Sequence, residues 1–472
     1  MKRVLLIVGP LLLLLVLVAG ACFLVIQRFE SPDYLVRNIE SSYNCRAEVS
    51  SAKLRLFSSP ATLEIMGLSL APRDKYADGQ VPRSQRPAIQ SNATIDYILL
   101  ELKTAPLLRR KLVVTNFSIE RPTIEMTVFE DGSTTIDEMI KPSPAAQAKK
   151  QDAPPKPTPK APDSAGSQGE GFVRASELPF DAIDGRLAIE DATITATIAE
   201  SNTTVQIHEG ILIFSDVDVD PSNLEEHNAA NVDLSAWIAV DSFEKDKRYL
   251  DLWLDGTGAV QPFSAESGEL YPSFTAAVTV RKDSWIDALP VIDDMEELLI
   301  EMTDYGVDLE GVRLRGDFSE DTTASFNATR ESVKMTSDFM VPIDENFLVL
   351  EEGSWVNSGK NDHNFGLTFI GSESLTRKVE SEMGKYLAEQ MDPSQAKMVQ
   401  SAIISLLKQS EFLVLRFQSQ GDLGDPKVAA ITPIGELGNM DGNLNELISN
   451  PDKAMDALKD GAEDLIRGIF GR

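Results

Sequence analysis

Apolar residues recur at every second position through most of this chain, and that period predicts strands. "AEVSSAKLRLF" carries Val49, Leu54 and Leu56 in this way. "ATLEIMGLSLAP" carries Leu63 and Ile65, then Leu68 and Leu70, with a break of phase at Met66-Gly67 that predicts a bulge or turn. Ile119, Ile124 and Met126 continue the pattern, as do "TVQIHEGILIF", "VDLSAWIAV", "RYLDLWLDGTG", "VKMTSDFMV" and "FGLTFIG". In "GRLAIEDATITATI", Leu187 and Ile189 alternate with polar or small residues, and Ile194 and Ile198 do so after the Asp191-Ala192 step. The reading gives about fourteen to eighteen strands.

A helical period replaces the strand period in a few places. Leu35, Val36, Ile39 and Tyr43 share one face of a short helix with Asp33 as its N-cap. Residues 284–306 read as a helix, and 374–409 as a helical hairpin. Its first helix aligns Leu375, Val379, Met383 and Leu387; its second, capped by Asp392-Pro393, carries Val399, Ile403 and Leu406. A terminal helix after Asn450-Pro451 places Met455, Leu458, Leu465, Ile469 and Phe470 on one stripe.

These patterns divide the chain. Residues 1–30 hold a membrane segment, 31–141 a first β-rich domain, and 142–170 a Pro/Ala/Lys linker without periodicity. Residues 171–430 form a second β-rich region with helical insertions at 284–306 and 374–409, and 431–472 a segment with the amphipathic helix. From Val4 to Ile26 run 23 uncharged, mostly apolar residues. That length crosses a hydrocarbon core, and Lys2 and Arg3 favour a cytoplasmic N-terminus. A cleaved signal peptide ending at Ala19-Gly20-Ala21, or a lipid-modified Cys22, competes with this reading. The apolar run continues past both sites to Ile26.

Charge and chemistry narrow the function. A net charge of −30 repels phosphate backbones and argues against nucleic-acid binding. Cys45 has only Cys22 as a potential partner, and Cys22 lies inside the apolar run, so no disulfide is expected. His208, His227 and His363 lack ligand spacing and read as satisfied structural residues. Asp216, Asp218 and Asp220 look calcium-like, but Pro221 and His227 occupy the positions where an EF-hand needs Gly and Glu. Period two simply places the three aspartates on one solvated face. "GSWVNSGKN" has the wrong spacing for a phosphate loop. No catalytic, cofactor or metal residues are assigned, and the chain reads as a non-enzyme. The apolar face that carries Leu187, Ile189, Ile194 and Ile198 needs either a second layer or a lipid to cover it.

The first 141 residues resemble the AsmA family of envelope proteins. The resemblance lies in the order of "FESPDYLVRNIESSYNCRAEV", "LFSSPATLEIMGLSLAP", "ATIDYILLELKTAPLLRRKLVVTNFSIERPTIEM" and "EDGSTTIDEM" after the apolar run. Ala105-Pro106-Leu107-Leu108 before "KLVVTNFSIERPTI" is its most specific element, while the family's usual Asn-Trp after Gly132 is missing. "FDAIDGRLAIEDATI" and "FQSQGDLGDPKV" resemble later strands of the family. The resemblance implies a single-pass inner-membrane protein with a periplasmic body in a Gram-negative-type envelope. It implies an elongated, curled antiparallel sheet forming an open trough, closed at the membrane-proximal end by the Asp33–Tyr43 helix. Such proteins are similar to bridge-like lipid-transfer proteins and are linked to phospholipid traffic and outer-membrane biogenesis. The implied partner is a phospholipid or other envelope lipid, lining up along Leu187, Ile189, Ile194 and Ile198. The alternative is a scaffold for outer-membrane assembly proteins, acting through protein contacts.

Overall fold

The computed structural model describes residues 32–146, 174–287 and 315–430, apart from short stretches within them. The apolar run from Val4 to Ile26 and the stripe from Met455 to Phe470 lie outside the described residues. Among the described residues no helix is long and apolar enough to cross a membrane. The fold is mainly β, as the alternation predicts, with twenty strands and a few short helices described. It divides into two units, one reaching to Arg281 with a short piece at Asn327–Arg330, the other made of the remainder.

The first unit begins with α1 (Pro32–Ser42), whose apolar face buries Leu35, Val36 and Ile39. Asp33 does not precede this helix; it sits in the first turn. Proline's fixed φ suits the first helical position, so the helix already includes Pro32 before Asp33. The strands β1 (Cys45–Arg55), β2 (Ala61–Pro72) and β3 (Ala93–Leu102) follow, then α2 (Thr104–Leu107) and β4 (Val113–Val128). Next comes α3 (Thr135–Ile140), held by a capping box in which the Thr134 hydroxyl accepts from the Asp137 amide at 3.1 Å. The strands β5 (Ala182–Ile198), β6 (Thr203–Val219), β7 (Asn228–Ser242), β8 (Lys247–Phe263) and β9 (Leu270–Val280) complete the unit.

Each strand from β1 to β9 pairs with the next. All pairs are antiparallel except β4–β5, which is parallel. A parallel pair needs a long crossover, and the proline-rich stretch supplies it. The linker therefore joins two strands of one sheet instead of separating two domains. Its start is also ordered: Ser143 is buried and its amide donates to the Ser42 carbonyl at 3.0 Å.

Parallel β4 and β5 carry the same sequence pattern in register. Ile119, Glu120, Thr123, Ile124 and Thr127 pair with Ile189, Glu190, Thr193, Ile194 and Thr197. Both strands also kink at the same point. Left-handed residues Gly67 (φ 63°), Arg121 (φ 49°), Asp191 (φ 56°) and Glu209 (φ 50°) stand on β2, β4, β5 and β6. The pairings Met66–Tyr97, Leu68–Ile95, Tyr97–Glu120, Ile95–Pro122, Glu120–Glu190 and Thr123–Thr193 bracket three of these residues and Asp96 in one transverse line. At that line burial changes phase: Ile65 then Leu68, Ile95 then Ile98, Ile119 then Ile124, Ile189 then Ile194. The break at Met66-Gly67 is thus one member of an aligned row of kinks, across which the β2–β3, β3–β4 and β4–β5 registers are kept. Holding a non-glycine residue in this region costs about 1–3 kcal/mol. Arg121 is anchored there by its ion pair to Asp96 at 2.8 Å.

The second unit contains β10 (Trp285–Asp287), β11 (Arg315–Asp317), β12 (Thr322–Thr329), β13 (Ser332–Met335), β14 (Phe339–Ile343), β15 (Asn346–Leu350), β16 (Trp355–Asn357) and β17 (Asp362–Ile370). The predicted helix at 284–306 is corrected at its start, because Trp285–Asp287 is a strand paired with Arg315–Asp317. Ile286 is buried between two partly exposed neighbours, which is a period of two. The Arg315 guanidinium stacks over the Trp285 ring at 4.2 Å. Residues 288–306 lie outside the described residues.

The hairpin is α4 (Glu373–Gln390) and α5 (Pro393–Leu407), followed by β18 (Lys408–Gln409), β19 (Phe412–Asp422) and β20 (Asp425–Ala430). Leu375, Val379, Met383 and Leu387 are all buried, as the spacing predicts, in one core with Leu367, Phe369, Leu413 and Leu415. Asp392 stands at the α5 cap position without a side-chain cap bond. Val399 is partly buried; the Ile403 and Leu406 side chains lie outside the described set.

The β4–β5 junction gives a direct test. A methyl group at Gly185 would land on the Thr115 carbonyl oxygen of the neighbouring strand. Gly185→Ala should lower stability by about 1–3 kcal/mol through forced strand separation, read from the urea midpoint of the full chain. An unchanged midpoint would show that the pair does not approach this closely.

Candidate functional site

The inner face of the first unit is built from straight apolar rows. One row runs Ala47, Leu70, Ala93, Ile124, Ile194, Ile207, Ile238, Leu252 across eight strands. A second runs Ala52, Ile65, Ile98, Ile119, Ile189, Leu212, Leu234, Gly256, Val278. The row of kinks lies between them, so without it one of the two would face outward.

Burial along both rows falls after β5, although Ala52 and Leu70 near the other end are also only partly buried and Ile207 and Leu212 still pack against the core. Ala93, Ile124 and Ile194 are buried in the first, and Ile65, Ile98, Ile119 and Ile189 in the second. From β6 onward, Ile207, Ile238, Leu252, Leu212, Leu234 and Val278 are only half-buried. Fully burying a side chain of this kind stabilises by about 1.5–3 kcal/mol, so this stretch leaves part of that burial unrealised. Toward the other end of these strands the face closes again, with Val219, Ala230, Val260 and Phe263 buried.

Over β1 to β4 the cover is α1 and α3. Between them and the sheet lies a cavity of about 50 Å³, lined by Leu35 and Ile39 of α1, Ile136 and Met139 of α3, and Ile65, Leu70, Ala93 and Ile98 of the two rows. Tyr43 and Cys45 contribute the polar atoms of its wall. An unfilled space of this size costs about 1 kcal/mol at about 24 cal/mol per Å³. Burial, with the Glu40 carboxylate adding to it, pushes the Cys45 thiol up to about 12. The thiol is therefore protonated and unreactive in the closed state.

Charges fasten α1 at the rim of this cavity. Glu40, 2% exposed, accepts from the guanidinium of Arg86, 6% exposed, at 2.9 and 3.1 Å. The same carboxylate accepts from the Ala47 amide on β1 at 3.3 Å. Arg73 donates to the Glu40 carbonyl at 2.8 Å. Beside them the buried Arg46 pairs with Asp74 at 2.8 Å and Glu48 at 3.2 Å. Desolvation raises the Glu40 carboxyl above its ordinary range, against the lowering effects of the Ala47 amide and Arg86.

The sequence-assigned residues fall on this face. Ile189, Ile194 and Ile198 are buried in the core, while Leu187 is half-buried. The partly buried stretch thus begins one strand later, on β6, whereas α1 and α3 pack on β1, β2 and β4. Ile207, Ile238 and Leu252 were visible as alternation, but nothing in the sequence gives their pairing across strands. Glu40 was also missed; its signal is an acidic residue on the same helical stripe as Val36 and Ile39.

The other polar candidates are satisfied locally. On the opposite face, Trp237 stacks on His208 and Trp253 and donates to Asp251 at 2.6 Å. Arg248 is shared by Asp241 and Asp251 at 2.7 and 2.8 Å. His227 pairs with the exposed Asp218 at 2.8 Å, and His363 with Ser419 and the Gly421 carbonyl, each at 2.8 Å. Asp216 and Asp218 are exposed, and Asp220 folds back on Ser222 in a turn. Among the described residues no group of side chains could hold a metal ion. No protein-family model, curated protein or solved structure matches this chain.

The buried ion pair sets an expectation. Arg86→Ala leaves the Glu40 carboxylate buried without its cation and should cost about 3–5 kcal/mol near neutral pH. Below the ordinary value of 4.5 the carboxyl is neutral in both folded and unfolded states, so the loss should shrink there. Adding Glu40→Gln should recover most of it. Urea unfolding of the three variants across pH checks the sign; an equal loss at all pH would mean that the pair's charge contributes nothing.

Proposed function

We propose that this chain is a non-enzymatic, AsmA-like, membrane-anchored periplasmic protein that binds phospholipid acyl chains along the inner face of β6 to β8, as part of outer-membrane and envelope lipid homeostasis. One observation carries the reading. Apolar rows that are covered from β1 to β5 continue, unbroken and half-covered, across Ile207, Ile238, Leu252, Leu212 and Leu234. An apolar face of this length calls for a second layer or an apolar ligand. An acyl chain fits because it asks for no polar partners, and the rows offer none. In this reading the Val4–Ile26 run holds the body at the inner membrane, the sheet is a curled trough, and α1 closes its membrane-proximal end.

Mass spectrometry of lipid bound to the purified full chain tests this. Phospholipid should co-purify at near-stoichiometric level. Ile238→Asp combined with Leu252→Asp should leave the melting temperature within a few degrees while reducing bound lipid several-fold, since an aspartate at a half-open position reaches water. Ile194→Asp, on a closed strand, should instead cost about 4 kcal/mol or more by burying a lone carboxylate. A protein that carries no lipid and takes up none when offered would overturn the reading and favour a scaffold acting through protein contacts.

A further inference from the structure

The covered and the open parts of the inner face are one surface. Leu70 and Ala93 line the cavity beneath α1 and stand on the same row as Ile207, Ile238 and Leu252. Between the two ends lie only Ile124 and Ile194, with no polar side chain interrupting. An acyl chain lying across the strands along this row would point its methyl end at the cavity. The cavity is larger than the space one water needs, about 10–15 Å³, yet almost wholly apolar, the kind of void that stays dry and accepts apolar guests. The helix over it is held at its far end by charge. The buried Glu40–Arg86 pair ties α1 down by two charge-assisted hydrogen bonds, and losing one partner alone would strand the other charge. It is a fastening that can be undone as a unit, unlike the interlocked side chains of a sealed core.

Resting on the lipid reading above, we propose that the cavity beneath α1 and α3 is the inner end of a slot for a single acyl chain, and that the Glu40–Arg86 pair is the latch that keeps α1 closed over it. When the latch is released, α1 lifts, the cavity widens, and the tail of a lipid bound on β6 to β8 extends along the row beneath the helix. Cys45 in the cavity wall reports the event, since its thiol is shielded until α1 moves.

The test uses the full chain with Cys22→Ser, so that Cys45 is its only thiol, and a phosphatidylcholine carrying a diazirine at the end of one acyl chain. Photolabelling followed by peptide mapping should place adducts on Ile65, Ile98 or Met139 as well as on Ile238 and Leu252. In the Glu40→Gln/Arg86→Gln double variant, which removes the latch and strands neither partner's charge, N-ethylmaleimide should alkylate Cys45 at least tenfold faster than in the parent. Labelling beneath α1 should rise, and the lipid probe should slow the alkylation. Labels confined to β6 to β8, with or without faster alkylation, overturn the slot and leave the lipid reading standing. Unchanged alkylation in the folded double variant overturns the latch. Absence of label anywhere overturns both the slot and the lipid reading.

Discussion

The constraint on which this first unit depends is that a sheet of nine paired strands with one apolar face has to keep that face covered. Burial of apolar surface is the main favourable term in folding, and here two short helices supply it over the strands nearest the N-terminus. Leu35 and Ile39, with Ile136 and Met139, do this work for the strands nearest the N-terminus. The charged fastening around Glu40 and Arg46 follows from the same constraint. A helix of eleven residues owes most of its stability to packing, here of Leu35, Val36 and Ile39, and the buried Glu40 adds a directional tie to it.

The row of kinks is the second consequence. A long twisted sheet bends, and a bend made by one strand alone would break its pairing on both sides. Here neighbouring strands kink together at Gly67, Asp96, Arg121 and Asp191, so pairing continues and the apolar face is preserved on both sides. Only one of these four positions is glycine. Of the others, Arg121 pairs with Asp96 on the neighbouring strand.

Much of this was legible in the sequence, and what was not has a physical reason. Strand positions, α1 and the hairpin helices could be read because each rests on a local period; Val379 and Leu387 are buried as their spacing requires. The phase break at Met66-Gly67 was visible too, but its alignment with Arg121 and Asp191 depends on register, which no local pattern encodes. The same gap misplaced the domain boundary. A proline-rich stretch looks like a linker between bodies whether it joins two domains or two parallel strands of one sheet. It also hid the open part of the site. Ile194 and Ile238 have the same alternation, and only tertiary packing makes one of them core and the other partly buried.

The parallel pairing of β4 with β5 has a consequence for how the chain reaches this state. The partners Ile124 and Ile194 lie about seventy residues apart, whereas the other neighbours from β1 to β9 are joined by connections no longer than the 73–92 stretch between β2 and β3. Hairpin pairing is local and fast, while distant pairing must first meet the entropy of closing a long loop. The strands before and after the crossover can therefore assemble as two half-sheets that wait for each other. Until they meet, the edge of β5 is unpaired and Ile189 and Ile194 have no cover from α1 and α3. That waiting interval is when the chain is most exposed to wrong strand pairing, and the length and solubility of the crossover set how long it lasts.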